Sequence, residues 1–139
     1  MNNEIFETIY NGLSAFLTEN NESCYSAKIC SMPPANPTYP LVMFDEVRNV
    51  KSGHSFGEIP DKVSSLGYQA DIYGKAKGTA NRRTVARAVA AVVDSYLSNF
   101  VGLHRMSFNV TPVEAGGELY RITIMYDKKL YENKNILIN

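Results

Sequence analysis

The sequence contains few of the residues that build metal sites and disulfide frameworks. Its 139 residues include two histidines and two cysteines, Cys24 and Cys30, with no C-x-x-C pair or cysteine–histidine cluster. A zinc site is therefore not expected. If one strand carried both cysteines, about 20 Å would separate them, which is too far for a disulfide. We therefore expect free thiols in a reducing cytosol.

Net charge and long apolar runs are also missing. Fourteen Lys and Arg residues balance fourteen Asp and Glu residues, which argues against a protein that coats DNA, because such proteins are usually basic. No apolar run is as long as a membrane-spanning helix requires. Residues 1–4 have neither the basic nor the apolar segment of a signal peptide, so we expect none. A 45% hydrophobic composition at this length is typical of one globular domain.

The charge is balanced in total but not along the chain. Residues 1–61 contain eight acids and three bases, whereas residues 62–139 contain six acids and eleven bases. The two parts therefore carry net charges of −5 and +5. This asymmetry is either chance, since folding can intermingle the two parts, or the mark of a dipolar subunit whose faces meet those of a neighbour.

Hydrophobic periodicity predicts two helices and five strands. The helices are expected at 3–17 and 79–100, and the strands at 24–31, 41–47, 64–74, 103–110 and 119–127. A proline-rich connector at 32–40 and a polar loop at 48–63 separate some of them. Gly102 is a natural stop for the second helix. The pattern predicts a single α+β domain with a largely antiparallel β-sheet packed by two helices, in the order α-β-β-β-α-β-β. We place the domain at 1–128 and a C-terminal arm at 129–139.

One short motif of hydrolases occurs in the polar loop. Residues 53–57 match G-x-S-x-G with Ser55 at the centre. A possible acid, Asp71 or Asp94, and then His104 follow in the order that hydrolases use. The serine of that motif must lie on a turn between a strand and a helix, but the preceding residues form a poor strand and a following proline blocks a long helix. We therefore favour a plain loop, and predict no catalytic residues, no metal or cofactor site and no enzyme activity.

A cluster of basic side chains is more informative. It runs from a turn into the second predicted helix without an intervening acid, and consists of Lys75, Lys77, Arg82, Arg83 and Arg87. Cations at a helix N-terminus are unfavourable unless an anion pairs with them. The cluster is either a solvated surface, or a contact with an acidic patch of a neighbouring subunit or with a phosphate backbone. No aromatic residue interleaves the cluster, which weakens the nucleic-acid interpretation.

The C-terminal residues are apolar where most tails are polar. Ile136, Leu137 and Ile138 either pack on the core of their own chain or add a strand to the sheet edge of a neighbour. The sequence gives the two alternatives equal weight. These residues and the basic cluster are the candidate interaction sites.

Four segments in order resemble the tail-terminator, or tail-completion, proteins of long-tailed bacteriophages. The segments are YPLVMFDEV at 39–47, LGYQADIYG at 66–74, the alanine-rich second helix with GLHR at 102–105, and YRI at 120–122 after Pro112. Where the family usually has Gly-Phe-x-Arg, this chain has Gly-Leu-His-Arg. The resemblance covers residues 1–128, and the arm that follows has no counterpart in the family pattern.

The resemblance implies a structural role. Such proteins form a hexameric ring on the head-proximal end of the tail tube and join it to the neck of the head. The implied partners are other copies of the chain, the tail-tube protein and a neck or head-completion protein. Genomic DNA would pass through the lumen without sequence-specific binding, and no membrane, cofactor or reaction is implied. The implied location is the virion tail or neck, and the host cytoplasm during assembly.

Two alternatives to a ring protein remain open at this point. The chain could be another neck component, such as a head-completion or stopper protein, which is of similar size and also lacks catalysis. It could also be a small nucleic-acid-binding module, whose affinity for DNA would fall steeply with salt.

Overall fold

The fold is a β-sheet with two helices packed on one of its faces. The computed structural model describes residues 2–52, 63–111, 117–131 and 136–137. The helices are α1 (Asn2–Glu19) and α2 (Arg82–Asp94), and a π-helical segment, Ser95–Phe100, continues α2. The strands are β1 (Lys28–Cys30), β2 (Leu41–Ser52), β3 (Val63–Lys75), β4 (His104–Thr111), β5 (Leu119–Tyr131) and β6 (Ile136–Leu137).

The strand order across the sheet is β1-β2-β3-β5-β4, and β6 pairs with β5. The β1–β2 pair is parallel, and the other described pairs are antiparallel. The predicted α+β fold, its largely antiparallel sheet and its element order α-β-β-β-α-β-β are therefore confirmed. The short β6 follows as an addition to that order.

The core lies between the helices and the alternate positions of the three central strands. Cross-strand register places Phe44 opposite Ala70, and Ala70 opposite Ile124, so these side chains share one face. From the helices, Leu13 and Val89 are fully buried on that face. Burial of each large apolar side chain contributes about 1.5–3 kcal/mol, which explains why strands with strict period-two alternation formed as predicted.

Helix α2 begins three residues later than predicted. Asn81 is its N-cap and accepts a hydrogen bond from the backbone N–H of Thr84 at 2.8 Å. The residues before it form a tight turn in which Gly78 has a φ of +62°. The C-terminal stop is confirmed at Gly102, whose φ is +82°. Local capping chemistry, rather than the apolar stripe, therefore sets both ends.

The first predicted strand is shorter than expected. Residues 20–26 form turns, and only Lys28–Cys30 is strand. Tyr25 and Ser26 have φ values of 53° and 55°, which are incompatible with extended chain. Cys24 lies buried in the turn, where its thiol contacts the carbonyl of Leu17 at 3.5 Å. The two cysteines therefore do not share a strand, but both are free as predicted. Burial raises the pKa of the Cys30 thiol.

The second and last long strands continue beyond their predicted ends. Strand β2 runs to Ser52, which pairs with Val63, so the predicted loop is wrong for residues 48–52. Backbone hydrogen bonds to β3 keep this polar segment in the sheet, although its side chains do not alternate between apolar and polar. Strand β5 runs to Tyr131, across the domain boundary placed at 128. The G-x-S-x-G motif at 53–57 lies outside the described residues.

Close packing of α2 on β3 depends on Gly74. A Cβ atom at this position would lie 2.6 Å from the backbone nitrogen of Ala86 and 2.7 Å from the carbonyl oxygen of Arg82. We expect Gly74→Ala to lower the free energy of unfolding by about 1–3 kcal/mol, because backbone atoms cannot give way as a side chain can. Urea unfolding followed by circular dichroism measures the change.

Gly67→Ala is the matched control for that substitution. Its Cβ would meet the Arg48 Cβ at 3.0 Å, and no backbone atom closer than 3.6 Å. We therefore expect a smaller loss than at Gly74. Equal losses at the two glycines would contradict the packing argument.

Candidate interaction surface

Strand β4 forms an edge of the sheet and is poorly covered. In the described part of the chain it pairs with β5 on one side only. Its apolar side chains Met106, Phe108 and Val110 are 53%, 36% and 38% exposed. The helices do not cover them, because α2 packs mainly on β3 and β5. An edge strand with exposed apolar side chains is a surface that readily accepts another chain.

One side of α2 faces this edge strand. Asp94 accepts a hydrogen bond from the Arg105 Nη1 of β4 at 3.0 Å. Arg83 and Arg87 lie eleven and seven residues before Asp94, which places all three within about 20° of one helix side at 3.6 residues per turn. Both arginines are exposed. The guanidinium of Arg105 lies 5.5 Å from the ring centroid of Phe108.

These residues define one continuous surface, the α2–β4 flank. It combines the exposed arginines of α2 with the exposed apolar side chains of the edge strand. Its members are Arg83, Arg87, Arg105, Met106, Phe108 and Val110. Sequence reasoning did not identify this surface, although the spacing of Arg83, Arg87 and Asp94 was a signal that could have assigned the arginines to one helix side.

The predicted basic cluster divides into two groups. Lys75 pairs with Glu118 at 3.6 Å, and the Lys77 Nζ donates to the Tyr25 carbonyl at 3.0 Å. Arg82 points inward and donates to the carbonyl oxygens of Gly117 and Leu119. Within the described residues, Arg83 and Arg87 have no hydrogen-bond or ion-pair partner. The two of them, rather than all five, are available to an external anion.

The apolar C-terminal residues lie partly within the described chain. Ile136 pairs with Tyr131 and Leu137 pairs with Leu130, so this segment continues the sheet of its own chain. The contact is a strand pairing within the chain, and strand addition to a neighbour stays a prediction. Ile138 lies outside the described residues.

The region around α1 exposes acidic side chains. Helix α1 contacts β1 and β2, and it also contacts α2 and the π-helical segment that continues α2. The first 27 residues contain four glutamates and no basic residue. Three of these glutamates have described side chains, and all three are exposed: Glu7, Glu19 and Glu22. Glu7 lies about 120° around α1 from Glu19 at 3.6 residues per turn, whereas Glu19 and Glu22 line one pocket at the end of the helix. We call Glu19 and Glu22 the α1 acidic face.

The sheet face away from the helices carries a hydrogen-bonded carboxylate. Asp71 is 8% exposed. One of its oxygens accepts from the Thr123 hydroxyl at 2.6 Å and the Arg121 guanidinium at 3.1 Å, and the other accepts from the Gln69 amide at 2.9 Å. The network joins β3 to β5. Since these donors engage both carboxylate oxygens, Asp71 stabilises the sheet.

The acids and histidine that follow the G-x-S-x-G motif do not converge. Asp71 lies on the open face of the sheet, whereas Asp94 lies on α2 on the helix side. His104 pairs with a third acid, Asp127, at 3.0 Å. The motif serine itself lies outside the described residues. The described geometry therefore brings no acid–histidine pair of the motif together.

A shallow pocket adjoins the open sheet face. It has a volume of about 290 Å³ and is lined by Pro33, Pro34, Pro37, Tyr39, Leu41, Met43 and Tyr73. The proline-rich connector forms one wall. The lining is apolar and aromatic, and it contains no carboxylate, histidine or lysine for acid–base chemistry.

The residues that the structure describes contain neither a cluster of metal ligands nor a membrane-spanning helix. Within these ranges, no group of three or more His, Cys, Asp or Glu side chains could hold a metal ion. No described helix is both long enough and apolar enough to cross a membrane.

Comparison with known proteins leaves the chain without an assigned family. No protein-family model matches it, and no curated protein matches it. The candidate interaction surfaces therefore stand on the geometry of this chain.

The contribution of Arg82 to stability can be measured separately from that of the exposed Arg83. We expect Arg82→Ala to lower the free energy of unfolding by about 1–3 kcal/mol, because two carbonyl acceptors lose a charged donor. Arg83→Ala should change it by less than about 0.5 kcal/mol, since that side chain is exposed. Urea unfolding of both variants checks this. Equal effects would show that the Arg82 contacts are unimportant for folding.

Two neighbouring buried tyrosines should respond in opposite ways to loss of the hydroxyl. Tyr126 donates to Asp94 at 2.7 Å, so we expect Tyr126→Phe to destabilise the fold by about 1–2 kcal/mol. Among the described residues the buried Tyr68 hydroxyl has no hydrogen-bond partner, so Tyr68→Phe should be neutral or slightly stabilising. Thermal unfolding at pH 7 compares the two variants, and a larger loss for Tyr68→Phe would contradict this assignment.

The same tyrosines predict a loss of stability in alkali. Burial raises the pKa of both phenols above the ordinary value of 10.0, and the bond to Asp94 raises that of Tyr126 further. Folding stability that depends on the neutral phenols is complete below pH 10 and falls as the pH rises above it. We expect Tyr126→Phe to show a shallower decline of the unfolding free energy between pH 10 and 12. An unchanged slope would contradict the prediction.

Proposed function

We propose that this protein forms a hexameric ring that caps the tail tube of a long-tailed bacteriophage and joins it to the head-side neck. The observation that carries the proposal is the presence of two unlike exposed surfaces on one subunit. One has an edge strand, exposed apolar side chains and arginines without a partner among the described residues, and the other has the glutamates at the end of α1. The ordered resemblance of the segments at 39–47, 66–74, 102–105 and 120–122 supports the same role.

A closed ring requires two different surfaces on each subunit. In a heterologous interface, one patch meets a different patch on the neighbour, and repetition of the contact closes the ring if the rotation permits. Two unlike surfaces on one subunit suit this arrangement. Two identical flanks would instead favour a twofold dimer.

The proposed role is structural and involves no reaction or cofactor. In the proposal, the polar groups inside the domain hold the subunit together: Asp71 links β3 to β5, and Asp94 links α2 to β4. The partners would be the tail-tube protein on one side of the ring and a neck or head-completion protein on the other. Genomic DNA would pass through the lumen, and the protein would reside in the virion after assembly in the host cytoplasm.

The residues predicted as interaction sites have different roles in this proposal. Arg83 and Arg87 are placed to meet a neighbouring acidic surface. Lys75, the last residue of β3, and Lys77, in the turn that follows, are exposed and would face the tube or the neck. Arg82 supports the fold. Ile136 and Leu137 reinforce the end of β5 in their own chain.

The proposal is tested by the assembly state of the purified protein. Multi-angle light scattering and negative-stain images are recorded for the protein alone and with its tail-tube protein. We expect a particle of six subunits with sixfold symmetry, either alone or on tube ends. A monomer that ignores the tube would contradict the proposal and favour another neck component.

A nucleic-acid-binding module is separated from a ring protein by a salt titration. A module that binds phosphates loses affinity steeply as salt rises. We expect weak DNA binding, because only two of the five clustered bases lack an internal partner. Tight, salt-dependent binding by a monomer would replace the ring proposal.

A further inference from the structure

We propose that the α2–β4 flank of one subunit docks against the α1 acidic face of the next subunit. The inference rests on the proposed ring and names the two surfaces that form its repeated contact. The occupant of the flank is therefore a second copy of this chain.

The first argument is the position of the two unpaired arginines. Arg83 and Arg87 lie in the first two turns of α2, where the backbone dipole already contributes positive charge, and the first turn contains no acid. Within the described residues no carboxylate pairs with either side chain. A carboxylate from outside would relieve this unfavourable arrangement, and Arg forms two parallel hydrogen bonds with such a group.

The second argument is the apolar surface beside them. Phe108 and Val110 lie on the helix-facing side of β4, since they pair with Ile124 and Ile122, whose side chains are buried under α2. The α2 helix stops short of them, so they stay exposed. A partner that covers them would bury apolar area and shield the free edge of the strand.

The third argument is charge complementarity between two surfaces of the same chain. Glu19 and Glu22, which line one pocket at the end of α1, are exposed to solvent, and the last turn of α1 contains no basic residue. In contrast, a flank that met itself would place arginines against arginines and be repelled. The flank therefore favours the α1 acidic face of a neighbour, which is the geometry of a head-to-tail ring.

The test reverses the charge on each surface and then combines the products. Variant one is Arg83→Glu with Arg87→Glu, and variant two is Glu19→Lys with Glu22→Lys. Each variant alone has like charges on both surfaces, so we expect ring assembly to need about a hundredfold higher concentration than wild type. Thermal unfolding by circular dichroism checks that each subunit is folded.

The mixture of the two variants gives the decisive result. In an equimolar mixture, every contact can pair an acidic surface with a basic one if the variants alternate around an even-numbered ring. We expect rings of six subunits, three of each variant, to return, as native mass spectrometry would show. Rings formed by either variant alone as readily as by wild type would overturn the inference, and so would a mixture that fails to assemble.

A charge-matched control lies outside the flank. Lys28→Glu with Lys129→Glu changes the net charge as much as variant one does, at two exposed positions of β1 and β5 to which the proposal assigns no contact. We expect this control to form rings like wild type. Loss of rings in the control would show a general effect of charge and would overturn the inference.

The result for wild-type protein distinguishes failure of this inference from failure of the proposed function. If wild-type protein forms no ring, either alone or with tail-tube protein, the proposed function fails and the docking contact fails with it. If wild type forms rings and the reversed variants do so equally, only the assignment of the two surfaces fails. If wild type assembles on tube ends alone, the variants and the mixture are compared there by negative stain.

Discussion

The reach of the two helices over one face of the sheet governs the rest of the structure. Burial of the alternate side chains of β2, β3 and β5 requires a cover, and α1 and α2 supply it over β1, β2, β3 and β5. Neither helix is wide enough to shield β4 as well. The same packing that builds the core therefore leaves an edge strand with Phe108 and Val110 exposed.

Helix α2 has a different task on each of its sides. Val85, Val89 and Val93 are fully buried against the sheet. Arg82 lies on this inward side and its guanidinium binds backbone carbonyls near the start of β5. Asp94, on the side toward β4, ties the helix to Arg105. Arg82 therefore has a structural role, whereas its neighbours Arg83 and Arg87 contribute surface charge.

Buried polar networks and exposed charge are separated in this domain. Asp71 is satisfied by donors from β3 and β5, and such a network holds neighbouring strands in register because an unpaired buried carboxylate would be costly. Exposed charges lie elsewhere, with glutamates on α1 and in the turn after it, arginines on α2, and lysines on β1, β3 and β5. The −5 part of the sequence supplies these glutamates, and the +5 part supplies the arginines.

The sequence by itself determined the fold class, the strand alternation of β3 and β5 and the amphipathic helices, because periodic burial is a local property of the chain. It did not determine where ladder bonds would hold a polar segment such as residues 48–52, or that the turn at Tyr25 would shorten β1. It also placed Arg82, Arg83 and Arg87 in one cluster. Only the tertiary structure decided that Arg82 turns inward while Arg83 and Arg87 stay free, because the carbonyls of Gly117 and Leu119 approach α2 only when β5 pairs with β3.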